Sequence, residues 1–144
     1  MRRGDRDPTD GQNNAFDSLY GPRRFEFGPT GIWGIYARSN LNSPAAQILV
    51  HPTKVMDLSV QHRLFMLAQA RDQWRGVGLV DPTGKSGSYV GQQTEYRARY
   101  RWSRYFEFDT GLVLFREGSF IRSVRHQTEL NWARFYYVAT EWKF

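Results

Sequence analysis

The chain has 144 residues, no cysteine and a formal charge of +6, which is enough for one domain and leaves no basis for a disulfide framework. Aromatics make up 16% of residues, yet no stretch approaches the roughly 20 consecutive apolar residues of a transmembrane helix, so a helical membrane protein is excluded. A transmembrane β-barrel is not excluded, because its strands alternate lipid-facing and lumen-facing side chains and average to a polar composition.

Residues 1–14 are hydrophilic and lack the apolar core of a signal peptide. Asp, Asn, Gly and Pro recur through residues 1–43, which predicts loop, with turn chemistry at Asp7-Pro8-Thr9-Asp10-Gly11 and Phe27-Gly28-Pro29-Thr30-Gly31. After Pro44 the pattern changes to period two. Ala46, Ile48 and Val50 alternate with Gln47, Leu49 and His51, ahead of a Pro52-Thr53-Lys54 turn. Residues 57–71 predict a longer strand. Leu58, Val60, His62, Leu64, Met66 and Ala68 lie on one face of it, while Ser59, Gln61, Arg63, Phe65, Leu67, Gln69 and Arg71 lie on the other.

Residues 74–88 predict a Gly-rich loop turning at Asp81-Pro82-Thr83-Gly84. A strand over 89–103 then places Val90, Gln92, Thr94, Tyr96, Ala98, Tyr100 and Trp102 opposite Gln93, Glu95, Arg97, Arg99 and Arg101. One side is mostly apolar and aromatic; the other is a row of charge. Residues 106–116 alternate Phe108, Thr110, Leu112 and Leu114 with Glu107, Asp109, Gly111 and Val113, and a polar loop over 117–124 follows. The last strand, 125–144, sets Leu130, Trp132, Tyr136, Val138, Thr140, Trp142 and Phe144 against Gln127, Glu129, Asn131, Glu141 and Lys143. Arg134 falls among the apolar positions, which calls for either a bulge or a side chain reaching to an interface.

Long strands joined alternately by short turns and long loops, with no convincing amphipathic helix, predict an all-β protein: an antiparallel up-and-down transmembrane β-barrel. About five strands are present, whereas such barrels close with at least about eight, and an open sheet in lipid leaves unpaired edges. Residues 1–144 are therefore expected to be the C-terminal portion of one barrel domain, with 44–144 its strands, cut from a longer, signal-bearing protein of the cell outer membrane.

Seventeen of the twenty basic residues are arginine, whose planar fork of donors suits carboxylates and phosphates. Arg97, Arg99 and Arg101 would stand about 7 Å apart on one face of a strand, twice the strand rise. Arg63 and Arg71 would share the polar face of an earlier strand. In a lumen these five residues either line a path for anions or are neutralised by carboxylates such as Glu95, Glu107, Asp109 and Glu129, and both alternatives stand. Other signatures fail. Gly84-Lys85-Ser86 lacks the leading glycine of a phosphate loop, since position 79 is Leu79. Asp5, Asp7 and Asp10 miss calcium-loop spacing, and His51, His62 and His126 lie on separate elements. No metal, cofactor or catalytic constellation is predicted, and nothing argues for an enzyme.

The segment Asp7-Pro8-Thr9-Asp10-Gly11-Gln12-Asn13-Asn14-Ala15-Phe16-Asp17-Ser18-Leu19-Tyr20, the stretch 28–36, Asn40-Leu41, Trp74-Arg75-Gly76 and Asp81-Pro82-Thr83-Gly84-Lys85-Ser86-Gly87 together resemble the alginate export family. The ending Tyr136, Val138, Thr140, Trp142, Phe144 resembles the closing strand of outer-membrane barrels, whose terminal Phe is read by the barrel-assembly machinery; Phe144 and Trp142 would carry that signal here. The family resemblance implies a porin-like barrel in outer-membrane lipid, through which an anionic uronic-acid polymer leaves by passive diffusion along an electropositive channel. It also implies that Arg97, Arg99 and Arg101 belong to the polymer path. Two other functions fit the residues: a soluble basic β-domain that binds nucleic acid, which the pI near 9.9 allows, and a porin-type barrel for small solutes. The barrel reading leaves nucleic acid outside the expected partners.

Overall fold

The computed structural model describes Gly11, residues 39–129 and residues 131–144. The expected loop and the family-like segments within residues 1–38, and Leu130 in the last predicted strand, lie outside these, apart from Gly11. Among the described residues six strands form one sheet: β1 (Leu41–Asn42), β2 (Ala45–Thr53), β3 (Met56–Leu67), β4 (Tyr89–Arg101), β5 (Phe106–Glu117) and β6 (Trp132–Trp142). Among the described residues a single short helix, α1 (Ser119–Val124), interrupts the series.

Neighbours in sequence are neighbours in space. The order is β1-β3-β4-β5-β6, with β2 also paired to β3. Leu41 pairs with Leu67 and Ala45 with Arg63, so β1 and β2 act as one edge strand broken at Ser43-Pro44. Among the described residues the sheet is thus a five-stranded antiparallel meander with open edges, a partial β-barrel of the predicted class. Pro52 sits in β2, where a missing amide costs least because an edge strand has only one partner, and the register shifts between Val50 and Thr53 around it. The β2–β3 turn is Lys54-Val55, one residue beyond the predicted one.

Several predicted boundaries move: β4 stops at Arg101 and β6 at Trp142, each two residues short, and at two other places packing or polar bonding overrides alternation. β3 ends at Leu67 rather than at 71. There the fully buried Asn40, held at φ +54°, accepts from the Gln69 amide at 2.7 Å and donates Nδ2–H to the carbonyls of Gln69 and Asp72 at 3.0 and 3.2 Å, which turns the chain away from the sheet. Residues 117–124, expected as polar loop, contain α1, whose Phe120 and Ile121 are buried. The last strand begins at Trp132, so Gln127, Glu129 and Asn131 belong to the connection before it.

The chain divides into two compact units. One comprises the segment ending at Pro44, Leu64–Gly91 and Glu117–Asn131. Its core is apolar, built from Leu41, Phe65, Leu67, Trp74, Val90, Phe120 and Ile121, and each large side chain buried this way contributes about 1.5–3 kcal/mol. Gly118 is needed for space, not for its dihedral angles: its amide donates to Val90 O at 2.7 Å, and an added Cβ would collide with the Tyr89–Val90 backbone. The other unit comprises Ala45–Arg63, Gln92–Arg116 and Trp132–Phe144, the strand segments that carry the charged and aromatic positions.

Candidate functional site: the two faces of the strand unit

Within the strand unit β5 and β6 pair without a slip from Phe106↔Trp142 to Arg116↔Trp132, so the parity of a residue fixes its face. Odd positions of β4 and β5 are covered: Gln93 is 2%, Glu95 6% and Asp109 9% exposed. Even positions are mostly apolar and more open, with Ile48 at 71%, Tyr136 at 66% and Trp142 at 65%. A water-soluble sheet does the opposite, because burying carboxylates while exposing aliphatic and aromatic surface costs free energy on both sides.

The covered face carries a ladder of ion pairs. Arg97 clasps Asp109 with two nitrogens, Nε–H donating at 2.9 Å to Oδ1 and Nη2 to Oδ2. Arg99 Nε lies 3.0 Å from Glu107 Oε1. Arg101 reaches the other neighbour, donating to Asp57 Oδ2 at 3.0 Å and Oδ1 at 3.3 Å and to the Lys54 carbonyl at 3.0 Å. Asp57 is also held by His51 Nδ1 at 2.7 Å. Arg63 donates to Gln61 Oε1 at 3.3 Å, and Glu95 stands within electrostatic reach of both Arg63 and Arg97. Arg63, Arg97, Arg99 and Arg101 therefore share a face with Asp57, Glu95, Glu107 and Asp109. Each pair remains partly open to solvent, which screens it and keeps its contribution to stability small.

Of the five arginines singled out by sequence, four lie on this face. Arg71 does not. It follows the end of β3, is exposed, and lays its side chain beside Gly84 in the other unit. Of the expected counter-charges Glu107 and Asp109 are direct partners, Glu95 lies close by, and Glu129 falls in a connection outside the ladder. Asp57 was missed as a partner. Its signal was available, since it shares odd parity with Arg63 and sits beside the turn that brings β2 to β3.

Gly111 and Tyr137 pair directly on the covered face, and the phenol ring occupies the space a side chain at 111 would need, 2.5 Å from an added Cβ. On the open face aromatic and basic residues mark both ends of the β5–β6 pair. Phe106 and Trp142 touch at one end, ring centroids 4.7 Å apart, near the exposed Trp102 and Tyr105. At the other end the Arg116 guanidinium lies 5.7 Å from the centre of the Trp132 ring. Arg134 sits on this same face opposite Leu114, with no register shift, so no bulge removes it. Ten residue steps separate the two ends. At about 3.4 Å per residue that is roughly 34 Å of strand, which at the tilt of about 40° usual in outer-membrane barrels would span about 25 Å, the height of their apolar band. Between the ends lies a depression of about 510 Å³, bordered by Ile48, Val60, Tyr96, Ala98, Leu112 and Tyr136.

In the loop unit, the Asp81-Pro82-Thr83-Gly84 turn folds as its chemistry demands. Asp81 Oδ1 accepts from the Thr83 hydroxyl at 2.6 Å and the Thr83 amide at 2.9 Å, and Oδ2 from the Ser86 amide at 2.7 Å. The Thr83 hydroxyl, then the Ser86 amide, hold the Asp81 carboxyl far below the usual carboxylate range.

A family model described as alginate export matches residues 1–132. No curated protein and no solved structure matches the chain.

Proposed function

The chain belongs to the alginate export family, a transport family of the outer membrane, and from that premise we propose that its sheet is part of the wall of a longer barrel through which an anionic polysaccharide leaves by passive diffusion. The covered odd face looks into the aqueous lumen, and the open even face meets lipid hydrocarbon. The observation that carries this reading is the inverted burial within the strand unit: Glu95 and Asp109 are covered while Ile48, Tyr136 and Trp142 are open. Hydrocarbon makes such an outer surface favourable, and a wet lumen keeps the charged groups hydrated.

The path consists of Arg63, Arg97, Arg99 and Arg101, and its pairing sets the mechanism. Free guanidiniums would bind a polyuronate tightly and hold it. Guanidiniums already paired with Asp57, Glu107 and Asp109 accept a polymer carboxylate only in exchange for a resident one, so each site is weak and the chain moves on. Phe144 and Trp142 serve as the signal read by the assembly machinery.

Planar-bilayer recordings of the intact barrel test the path. Replacing Arg97, Arg99 and Arg101 together by Gln should lower anion selectivity several-fold, and Asp57→Asn with Glu107→Gln and Asp109→Asn should raise it. Unchanged reversal potentials in both triple variants would reject the role of the ladder.

A further inference from the structure

Every arginine of the β4 ladder has a carboxylate, but Arg116 and Arg134 on the opposite face have none among the described residues. They are diagonal neighbours across β5 and β6. Arg116 is paired with Trp132 and Leu114 with Arg134, which sets the two guanidinium stems roughly 7–8 Å apart with an indole beside them. Both arginines and Trp132 are exposed. Two cations with no counter-charge among the described residues, at the edge of an apolar wall, are unfavourable there unless an anion neutralises them.

What neutralises them follows from the rest of the face. The next paired rows from the arginines are Leu114 opposite Arg134 and Leu112 opposite Tyr136, and Leu112 and Tyr136 border the apolar depression that continues to Ala98, Val60 and Ile48. From Arg116 to Leu112 is about 13 Å along the strand. The face therefore offers a doubly cationic head site and, one short step into the membrane band, an apolar trough sized for hydrocarbon.

The connection lengths give this end its side of the membrane. The β2–β3 and β4–β5 connections are the short ones, Lys54-Val55 and residues 102–105, whereas β3–β4 and β5–β6 are joined through 68–88 and 118–131 at the end where Arg116 and Trp132 lie. Outer-membrane barrels keep short turns toward the periplasm and long loops outside.

We propose that Arg116, Arg134 and Trp132, with the trough beside them, form a binding site for a phosphorylated lipid of the outer leaflet. The phosphate is gripped by the two guanidiniums, which match phosphate oxygens with paired donors, and an acyl chain lies along Leu112 and Tyr136. This rests on the even face meeting lipid, as proposed above.

The test uses the intact barrel, purified, stripped of lipid and placed in nanodiscs of phosphatidylcholine doped with phosphorylated or dephosphorylated lipid A. Native mass spectrometry reads the lipid retained. The unsubstituted barrel should retain the phosphorylated form, and Arg116→Ala with Arg134→Ala should weaken retention by at least about tenfold. Arg104→Ala, at the short-turn end, should leave it unchanged. Equal retention by the double variant, equal retention of dephosphorylated lipid, or full displacement by inorganic phosphate would each overturn the site. A spin label at position 138, on the same face, separates this from the facing itself. A label reached by oxygen but not by a water-soluble nickel complex, with no phosphate-dependent retention, sinks the lipid site alone. A label reached by the nickel complex sinks the orientation on which it rests.

Discussion

Asp81 accepts three hydrogen bonds from within its own turn, which makes its ionisation a condition for that turn's shape. Because its folded pKa is depressed, its stabilisation is full at neutral pH, begins to fall only as pH drops through the ordinary carboxylate value of about 3.9, and vanishes below the folded value. Hydrogen exchange at the Ser86 amide should therefore stay slow well into acid in the unsubstituted protein, and Asp81→Ala should make it fast at neutral pH. Slow exchange in both would remove the carboxylate from the account. The turn was readable from Asp-Pro-Thr-Gly alone, because its bonds are local. Asn40 was not, since its partners lie 29 and 32 positions further along the chain and nothing in its immediate sequence announces them.

The β5–β6 pair gives the element scale its sharpest constraint. Tyr137 covers Gly111 across the strands, a pairing in which the ring shields backbone that a side chain would otherwise cover. Gly111→Ala should push the ring off its site and cost about 1–3 kcal/mol in denaturant unfolding of the intact barrel followed by tryptophan fluorescence. Adding Tyr137→Ala should recover part of that loss relative to Tyr137→Ala alone. A fully additive pair would show that the contact carries no coupling. Strand parity was legible in the residues for a physical reason: a period of two survives wherever one face differs chemically from the other. Ends of strands were less legible. β3 stops where Asn40 pulls the chain aside, and α1 forms where Phe120 and Ile121 find an apolar core, and both depend on contacts that alternation does not encode.

At the scale of the whole molecule, odd positions do not share one character. They are charged at Glu95, Arg97 and Asp109, yet apolar and buried at Phe65, Leu67, Val113 and Phe115. The sequence reading assigned Phe65 and Leu67 to a polar face by parity, and their burial shows that parity predicts the side of a sheet but not what lies against it. Labels placed singly from 93 to 101 in the lipid-embedded barrel should alternate, odd positions reached by water-soluble quenchers and even positions by lipid-soluble ones. Uniform accessibility would remove the inside-out assignment together with the pore.

The open sides of the sheet carry a last consequence. Among the described residues β6 pairs only with β5, through eleven consecutive partners, and β2 pairs only with β3, so each outer strand shows a free row of amides and carbonyls along its far side. Such rows are templates. In plain water a sheet with such rows would zip copy onto copy through them, its greasy flank speeding the process, and grow into ribbons. Recovering it as a lone soluble species would thus require denaturant or detergent from the outset.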